Sequence, residues 1–491
     1  MTTEQLKEIT DKLRSGSEIE DTISILKKTR TTDLPDIETI KKELDPAQHK
    51  VFDTSYRKDK KVKADEGETA DGGVKIINQS GAKKEIPMKI EKVTRIGLAY
   101  QEIIVNRAAA FLFGFPVDYD TESEDSKEQE VVKTLKRIVH DNKMEFFDRD
   151  IAKELFSFTE VAEMWFPVET DKEHEIYGFK TKFKLKTVAL KPSLDESLYP
   201  TFDEFGDLVA FSRAYSRKLN DKDVKYFETY TSEMLYRFEN SEGWKASEGY
   251  PKPNPILKIP IVYGSQAKKD WDKVQNIIES DEDLRSNFSD INKYHAAPTM
   301  AVKGKINGFA AKGEAGKLIQ LGENAEAKYL EWKSASESVS LEHNMNREDI
   351  FSLTQTPDIS FNNIKSIGQL GLGAQKMLFM DAHLKAMDKM LIFGPYLQRR
   401  INIIKSYIGM FNTAMSGASE NVVIKPDVRP YIMGDDKETA EILSVAVSSG
   451  FMSKKSAVEN FNWTQDIEKE YKQIQSEERA SQVLDNFPPG E

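Results

Sequence analysis

Residues 271–295, WDKVQNIIESDEDLRSNFSDINKYH, decide how this chain is built. Val274, Ile277, Leu284, Phe288 and Ile291 recur by threes and fours on one face, interrupted at Asp281. The stretch from Lys269 to His295 therefore predicts an amphipathic helix about 40 Å long. The next stretch differs in kind. TMAVKGKI, KLIQLG and AKYLEWK lie between Gly-containing turns and predict a small β unit over 298–333. A second helix then opens at Ser334 with a Ser-x-x-Glu cap completed by Glu337, and runs back to about Thr354, before Pro357.

Downstream, PDISFNNIKSIG separates this pair from a third helix, read from about Gln369 to Phe411. Met377, Met380, Leu384, Met387 and Leu391 step alternately by three and four along it, and at roughly 60 Å it exceeds a small globular core. Gly394-Pro395 should bend it, because proline removes a ladder hydrogen bond. NVVIKPDVRPYI reads as a strand and GDDKETAEILSVAVSSG as a helix ending at Gly450. A capped helix from Ser453 and an acidic helix at Glu468–Glu478 come next, and the last dozen residues read as disordered.

Upstream, residues 1 to about 55 read as helical and polar, with Leu6, Ile9 and Leu13 at helical spacing rather than in an export signal. YRKDKKVKADEGETADGG reads as a mobile loop, and its cluster Arg57, Lys58, Lys60, Lys61 and Lys63 as solvated. From Ile86 to Val117 the spacing of Ile90, Val93, Ile96, Tyr100 and Ile103 predicts one long helix stopped by Gly114 and Pro116. Glu130–Asn142 reads as helix, about 154–265 as strands and hairpins, and Pro251 to Pro260 as extended chain.

With 491 residues the chain suggests two to four structural units, and its net charge of -12 argues against a protein that grips nucleic acid. The absence of cysteine excludes disulfides and thiolate chemistry. The longest apolar stretches, near 108–117 and 390–395, fall short of the ~20 residues that cross a bilayer, so no membrane role is expected.

No catalytic or metal constellation emerges. GEAGKL at 313–318 lacks a phosphate loop's first glycine, with Ala311 in its place, and has Leu318 where Ser or Thr would hold magnesium. Glycines 368, 371 and 373 do not have dinucleotide spacing. The six histidines include no i,i+4 pair and no HExxH. The runs Asp281-Glu282-Asp283 and Asp435-Asp436 read as solvated or dipole-matching charge. The expectation is a non-enzyme without cofactor or metal.

The order of elements, an α+β and predominantly helical chain, resembles the portal proteins of tailed bacteriophages over roughly residues 85–475. IVNRAAAFLFGFPV (104–117), SDEDLRSNFSDINKYHAAPTMAVKG (280–304), PDISFNNIKSIGQLGLGAQKML (357–378) and KETAEILSVAVSSGFMSKKSAVENF (437–461) carry the likeness. The resemblance implies a ring, usually of twelve subunits, at one capsid vertex of the virion, assembled in the host cytoplasm. It implies a wing at 1–268, stem helices at 269–296 and 334–356, a clip at 297–333, a tunnel loop at 357–368, and a long wing helix and strand at 369–430. A crown at 431–475 and a disordered tail at 476–491 complete the layout. Implied partners are double-stranded DNA passing through the channel, the terminase large subunit, the major capsid protein and scaffold, and head–tail adaptor proteins.

Within the loop, Asn362, Asn363 and Lys365 are expected to face DNA, while Ile359, Phe361 and Ile364 pack against the adjacent subunit. In the clip, Lys303, Lys305, Lys312 and Lys317 are the expected docking surface for the packaging motor. The rival readings are an acidic helical scaffold or adaptor, which should lack the β unit between two stem-like helices, and a nucleic-acid enzyme, which needs a clustered site.

Overall fold

The computed structural model of the chain describes all residues except 1–2, 31–33, 64–71, 78–82, 220–221, 296–299, 304–305, 310–318, 322–325, 330–335, 360–376, 378, 432–435, 462–466 and 486–491. Contacts divide it into two units, 1–358 with 381–430, and 359–380 with 431–491.

The larger unit begins with helices α1 (Thr3–Ser15), α2 (Ile19–Lys28) and α3 (Ile37–Leu44). Ile9, Leu13, Ile23 and Leu26 are buried against Phe227, Tyr236 and Phe238 of an antiparallel sheet. That sheet spans Ser197–Pro253. The apolar residues of a polar-looking N-terminus thus have a defined partner. The main core gathers helices α4 (Tyr100–Leu112), α5 (Ser126–Asp141) and α6 (Met144–Phe158) with a second antiparallel sheet of Glu160–His174, Thr181–Leu190 and Ile261–Ser265. Residues 154–158, expected to open the strand region, are instead the end of α6, and Thr159 at φ 66° breaks the chain into the first strand of that sheet.

Helices α7 (Gln275–His295) and α8 (Ser336–Leu353) flank the β unit. In it, Met300–Lys303 pairs antiparallel with Glu326–Tyr329, and Ile306–Phe309 with Ile319–Leu321, one hairpin nested in the other. Helix α9 (Met380–Phe411) crosses the main core, burying Phe393, Leu397, Ile401, Ile404 and Ile408, and continues through Pro395. Helix α10 (Ser416–Asn421) packs so close to α9 that a Cβ on Gly409 would stand 2.8 Å from Ser419 Oγ. At the centre lies Arg400, 1% exposed. It donates two hydrogen bonds to Glu163 (2.8 and 2.7 Å) and lies 2.6 Å from Asp148.

Several sequence expectations are corrected. The charged run after Tyr56 is not simply loop: Lys60–Lys63 and Gly72–Ile77 both pair with Lys83–Glu91, and Lys60 stands opposite Glu91. The helix expected from Ile86 begins only at Tyr100, because the chain through Glu91 belongs to the strand Lys83–Glu91 and residues 92–99 form neither helix nor strand. Helix α7 begins at Gln275 rather than Lys269, since Asp270 is held by Lys385 and Lys389 and the Trp271 indole donates to Glu43 (2.8 Å). Of the helix expected from about Gln369, the structure describes α9 over Met380–Phe411, after a turn at Phe379, while residues 369–376 and 378 lie outside the described residues. The strand expected over 421–432 is confined to Lys425–Asp427, paired with Asp118–Asp120.

The smaller unit contains α11 (Asp436–Ser448), α12 (Lys454–Phe461) and α13 (Ile467–Asp485). Gly450 at φ 75° lets the Phe451 N–H reach back to the Ala446 carbonyl (2.9 Å), and Ser453 Oγ accepts from the Ser456 N–H (3.1 Å) at the start of α12. Residues 476–485, expected in a disordered tail, continue α13 as helix. Their Glu, Arg, Ala and Gln are good helix formers.

Candidate functional site

Two of the three carboxylates in the acidic run on α7 are not solvated. Asp281 and Glu282 are 0% and 1% exposed, which corrects the expectation of surface charge. Asp281 lies 2.8 Å from His343 Nδ1 of α8 and so ties the two stem-like helices together. Glu282, Ser286 and Asp290 form a row at i,i+4 spacing. The Leu98, Ile96 and Thr94 amides donate to them at 2.7, 3.0 and 2.8 Å. Four helical residues rise about 6 Å, close to the span of two residues of non-helical chain, so every second amide meets every fourth side chain. This is why an apolar pattern that suits a helix is not helical here: its amides are satisfied by α7. Gly97 is required for the close approach, since a Cβ there would stand 2.4 Å from the Pro46 carbonyl oxygen. Arg57 is not part of a solvated cluster, because it donates to Asn287 and Asp290 (both 2.8 Å).

His49 joins this seam to α3. Its Nδ1 lies 2.5 Å from Glu282 Oε1 and its Nε2 2.8 Å from the Glu43 carbonyl. Both partners are acceptors, so the ring is held as imidazolium. Burial works against that charge, but the Glu282 hydrogen bond and charge prevail and raise the His49 pKa. A raised folded-state value gives stability that is complete below the ordinary 6.5 and is lost as pH rises through the folded value. The urea midpoint should therefore fall as pH rises above that point, and His49→Gln should flatten this fall. An unchanged slope in His49→Gln would refute the imidazolium assignment.

The C-terminal end of α8 leads to the expected tunnel loop, and it is held by cations from three helices. Arg107 of α4 donates to the Pro357 carbonyl, and Arg347 of α8 pairs with Asp358 (2.7 Å). Lys385 of α9 donates to the Thr354 carbonyl (3.0 Å) while paired with Asp270 (3.0 Å). The two guanidinium groups flank the Phe351 ring at 5.2 and 5.9 Å. Burial would raise the Asp270 pKa, but Lys385 and Lys389 more than offset it and hold the carboxyl below its usual value. None of these anchors was singled out from the sequence. Each cation sits on a different helix, and no local pattern links them.

Of the expected loop residues, Ile359 is described and is 38% exposed. Asn362, Asn363, Lys365, Phe361 and Ile364 lie outside the described residues. Lys303 is exposed at the end of its strand, opposite Glu326. Lys305, Lys312 and Lys317 lie outside the described residues, as does all of GEAGKL. Among the described residues no cluster of His, Asp and Glu is placed to hold a metal ion. Among the same residues no helix is long and apolar enough to cross a membrane.

The sequence matches the family model described as "Phage portal protein, SPP1 Gp6-like" over residues 23–483. No curated protein matches it. Among solved structures, a chain from "Neck of empty GTA particle computed with C6 symmetry" is 12% identical, with 74% of this chain and 89% of that one covered and a TM-score of 0.38. A chain from "Neck of native GTA particle computed with C12 symmetry" is likewise 12% identical, with the same coverage and a TM-score of 0.37.

Proposed function

Because the chain belongs to the SPP1 Gp6-like family of phage portal proteins, and is thus a portal protein and a structural virion component, we propose that it closes into a ring. That ring, of about twelve subunits by the family's habit, stands at one capsid vertex and conducts DNA inward during packaging and outward during ejection. One observation carries the ring: Leu384, Met387 and Leu391 of α9 are 49, 66 and 75% exposed in the single chain, as are Met377 (73%) and Met380 (54%). Their strict alternation of three and four is the narrow stripe of a helix that meets another helix, and a second copy is its natural cover. The net charge of -12 suits a conduit, since many cationic phosphate contacts would hold DNA rather than pass it.

Light scattering behind size exclusion should show one large species for the native chain. Replacing Leu384, Met387 and Leu391 by serine should yield monomers of unchanged helix content. A native chain that stays monomeric at high concentration and at several salt levels would end the ring reading.

In the same proposal the β unit docks the terminase large subunit and later the head–tail adaptor proteins, with the capsid protein and scaffold around the wing, and assembly takes place in the host cytoplasm. Lys303, Lys305, Lys312 and Lys317 supply the clip's positive charge. Lys303→Glu with Lys305→Glu should weaken terminase pull-down while rings persist; undiminished binding would remove this surface from the motor interface.

A further inference from the structure

In an acidic protein, cations without carboxylate partners stand out, and three lie together along the second half of α9. Two cavities of about 630 and 660 Å³ share Leu257, Lys258 and Asn402 and so form one groove, running from Gln398 to Met410. Lys258, Arg399 and Lys405 line it, and among the described residues none is within ion-pair reach of a carboxylate. Arg399 spends two N–H groups on the Ile261 and Ile259 carbonyls (2.7 and 3.5 Å), leaving Nη1 unused. Lys405 donates to the Glu420 and Val422 carbonyls. Carboxylates act on them only from further off, Asp207 on Arg399 and Glu128 on Lys405, and one exposed carboxylate, Glu420, also lines the groove. Burial, with Lys258 nearby, depresses the Lys405 pKa, as expected of a cation short of a counter-charge.

The rest of the lining is mixed. Ser232, Gln398, Asn402 and Ser406 offer hydrogen bonds, and Leu257 stands at the edge, 71% exposed and at φ 52°. A left-handed leucine is costly and persists where the neighbouring structure imposes it. Twelve helical steps from Gln398 to Met410 give the groove a length of about 18 Å, the span of five or six extended residues.

We propose that this groove binds an acidic peptide segment of a partner protein, its carboxylates meeting Lys258, Arg399 and Lys405 and an apolar side chain covering Leu257. A DNA duplex is disfavoured, because a rod about 20 Å across does not enter cavities of this size and gains nothing from an apolar edge. The proposal does not depend on ring formation.

The test uses the full chain and a fluorescein-labelled peptide alternating glutamate with leucine, read by anisotropy. Saturable binding is expected, weakened at least about tenfold by Lys258→Glu or Asn402→Glu, both at exposed positions, and absent for the same peptide with lysine in place of glutamate. Binding unchanged in both variants, or no binding at all, would overturn the proposal. So would equal displacement by inorganic phosphate or by random-sequence duplex DNA at matched ionic strength, which would make the groove a general anion site.

Discussion

Replacing Arg400 by methionine should cost about 3–5 kcal/mol, the usual cost of leaving buried charge without its partner. Against a total of roughly 5–15 kcal/mol, that is enough to leave much of the chain unfolded. The cause is specific. Glu163 and Asp148 are 0% and 3% exposed, and Arg400 supplies both Glu163 hydrogen bonds as well as the 2.6 Å contact to Asp148. Burial already pushes the Asp148 carboxyl up to about 6 against the pull of Arg400, and without the cation that carboxyl rises further. Carboxyls with raised folded-state values lose stability as pH rises, so the deficit should be smaller near about pH 5 than near about pH 8. Urea titration of Arg400→Lys, which keeps the charge but loses the paired hydrogen bonds, gives a measurable intermediate if the methionine variant is insoluble. A methionine variant as stable as the native chain at both pH values would show that the triad contributes nothing.

That triad marks a limit of reading the sequence. Arg400, Glu163 and Asp148 belong to α9, to the strand Glu160–His174 and to α6, and nothing local announces that they meet. The same limit explains the non-helical segment before α4. Ile90, Val93, Ile96 and Tyr100 satisfy a helical spacing, yet the amides of 94, 96 and 98 found acceptors nearly two hundred residues away. Asp281 and Glu282 of the acidic triplet on α7 depart from a solvated reading for a related reason: they are buried by His49, His343 and a backbone donor from distant segments. By contrast, features that depend on neighbours in sequence were legible. The Gly450 stop, the Ser453 cap and the three-four stripe on α9 all depend on local backbone geometry or spacing. The tunnel-side residues rest on sequence and resemblance alone.

Changing Asn362, Asn363 and Lys365 together to glutamate should leave rings intact and slow packaging several-fold or let DNA slip back. The three changes move the charge by four per subunit, one for each asparagine and two for the lysine. Repeated around a ring, that makes a strongly negative collar facing a polyanion. Neutral amides can hydrogen-bond phosphate and release it, whereas carboxylates offer acceptors where donors are needed. The segment entering the loop is anchored by Arg107, Arg347 and Lys385, so substitutions beyond it should not loosen the main core. Added salt should partly restore packaging in the acidic variant, because a Debye length of about 8 Å at physiological ionic strength shortens to about 3 Å at molar salt. The competing view is a plain connection between helices, favoured by Asn and Ser for local reasons. It predicts normal packaging in the acidic variant at every salt level, and that result would remove these three residues from the DNA path.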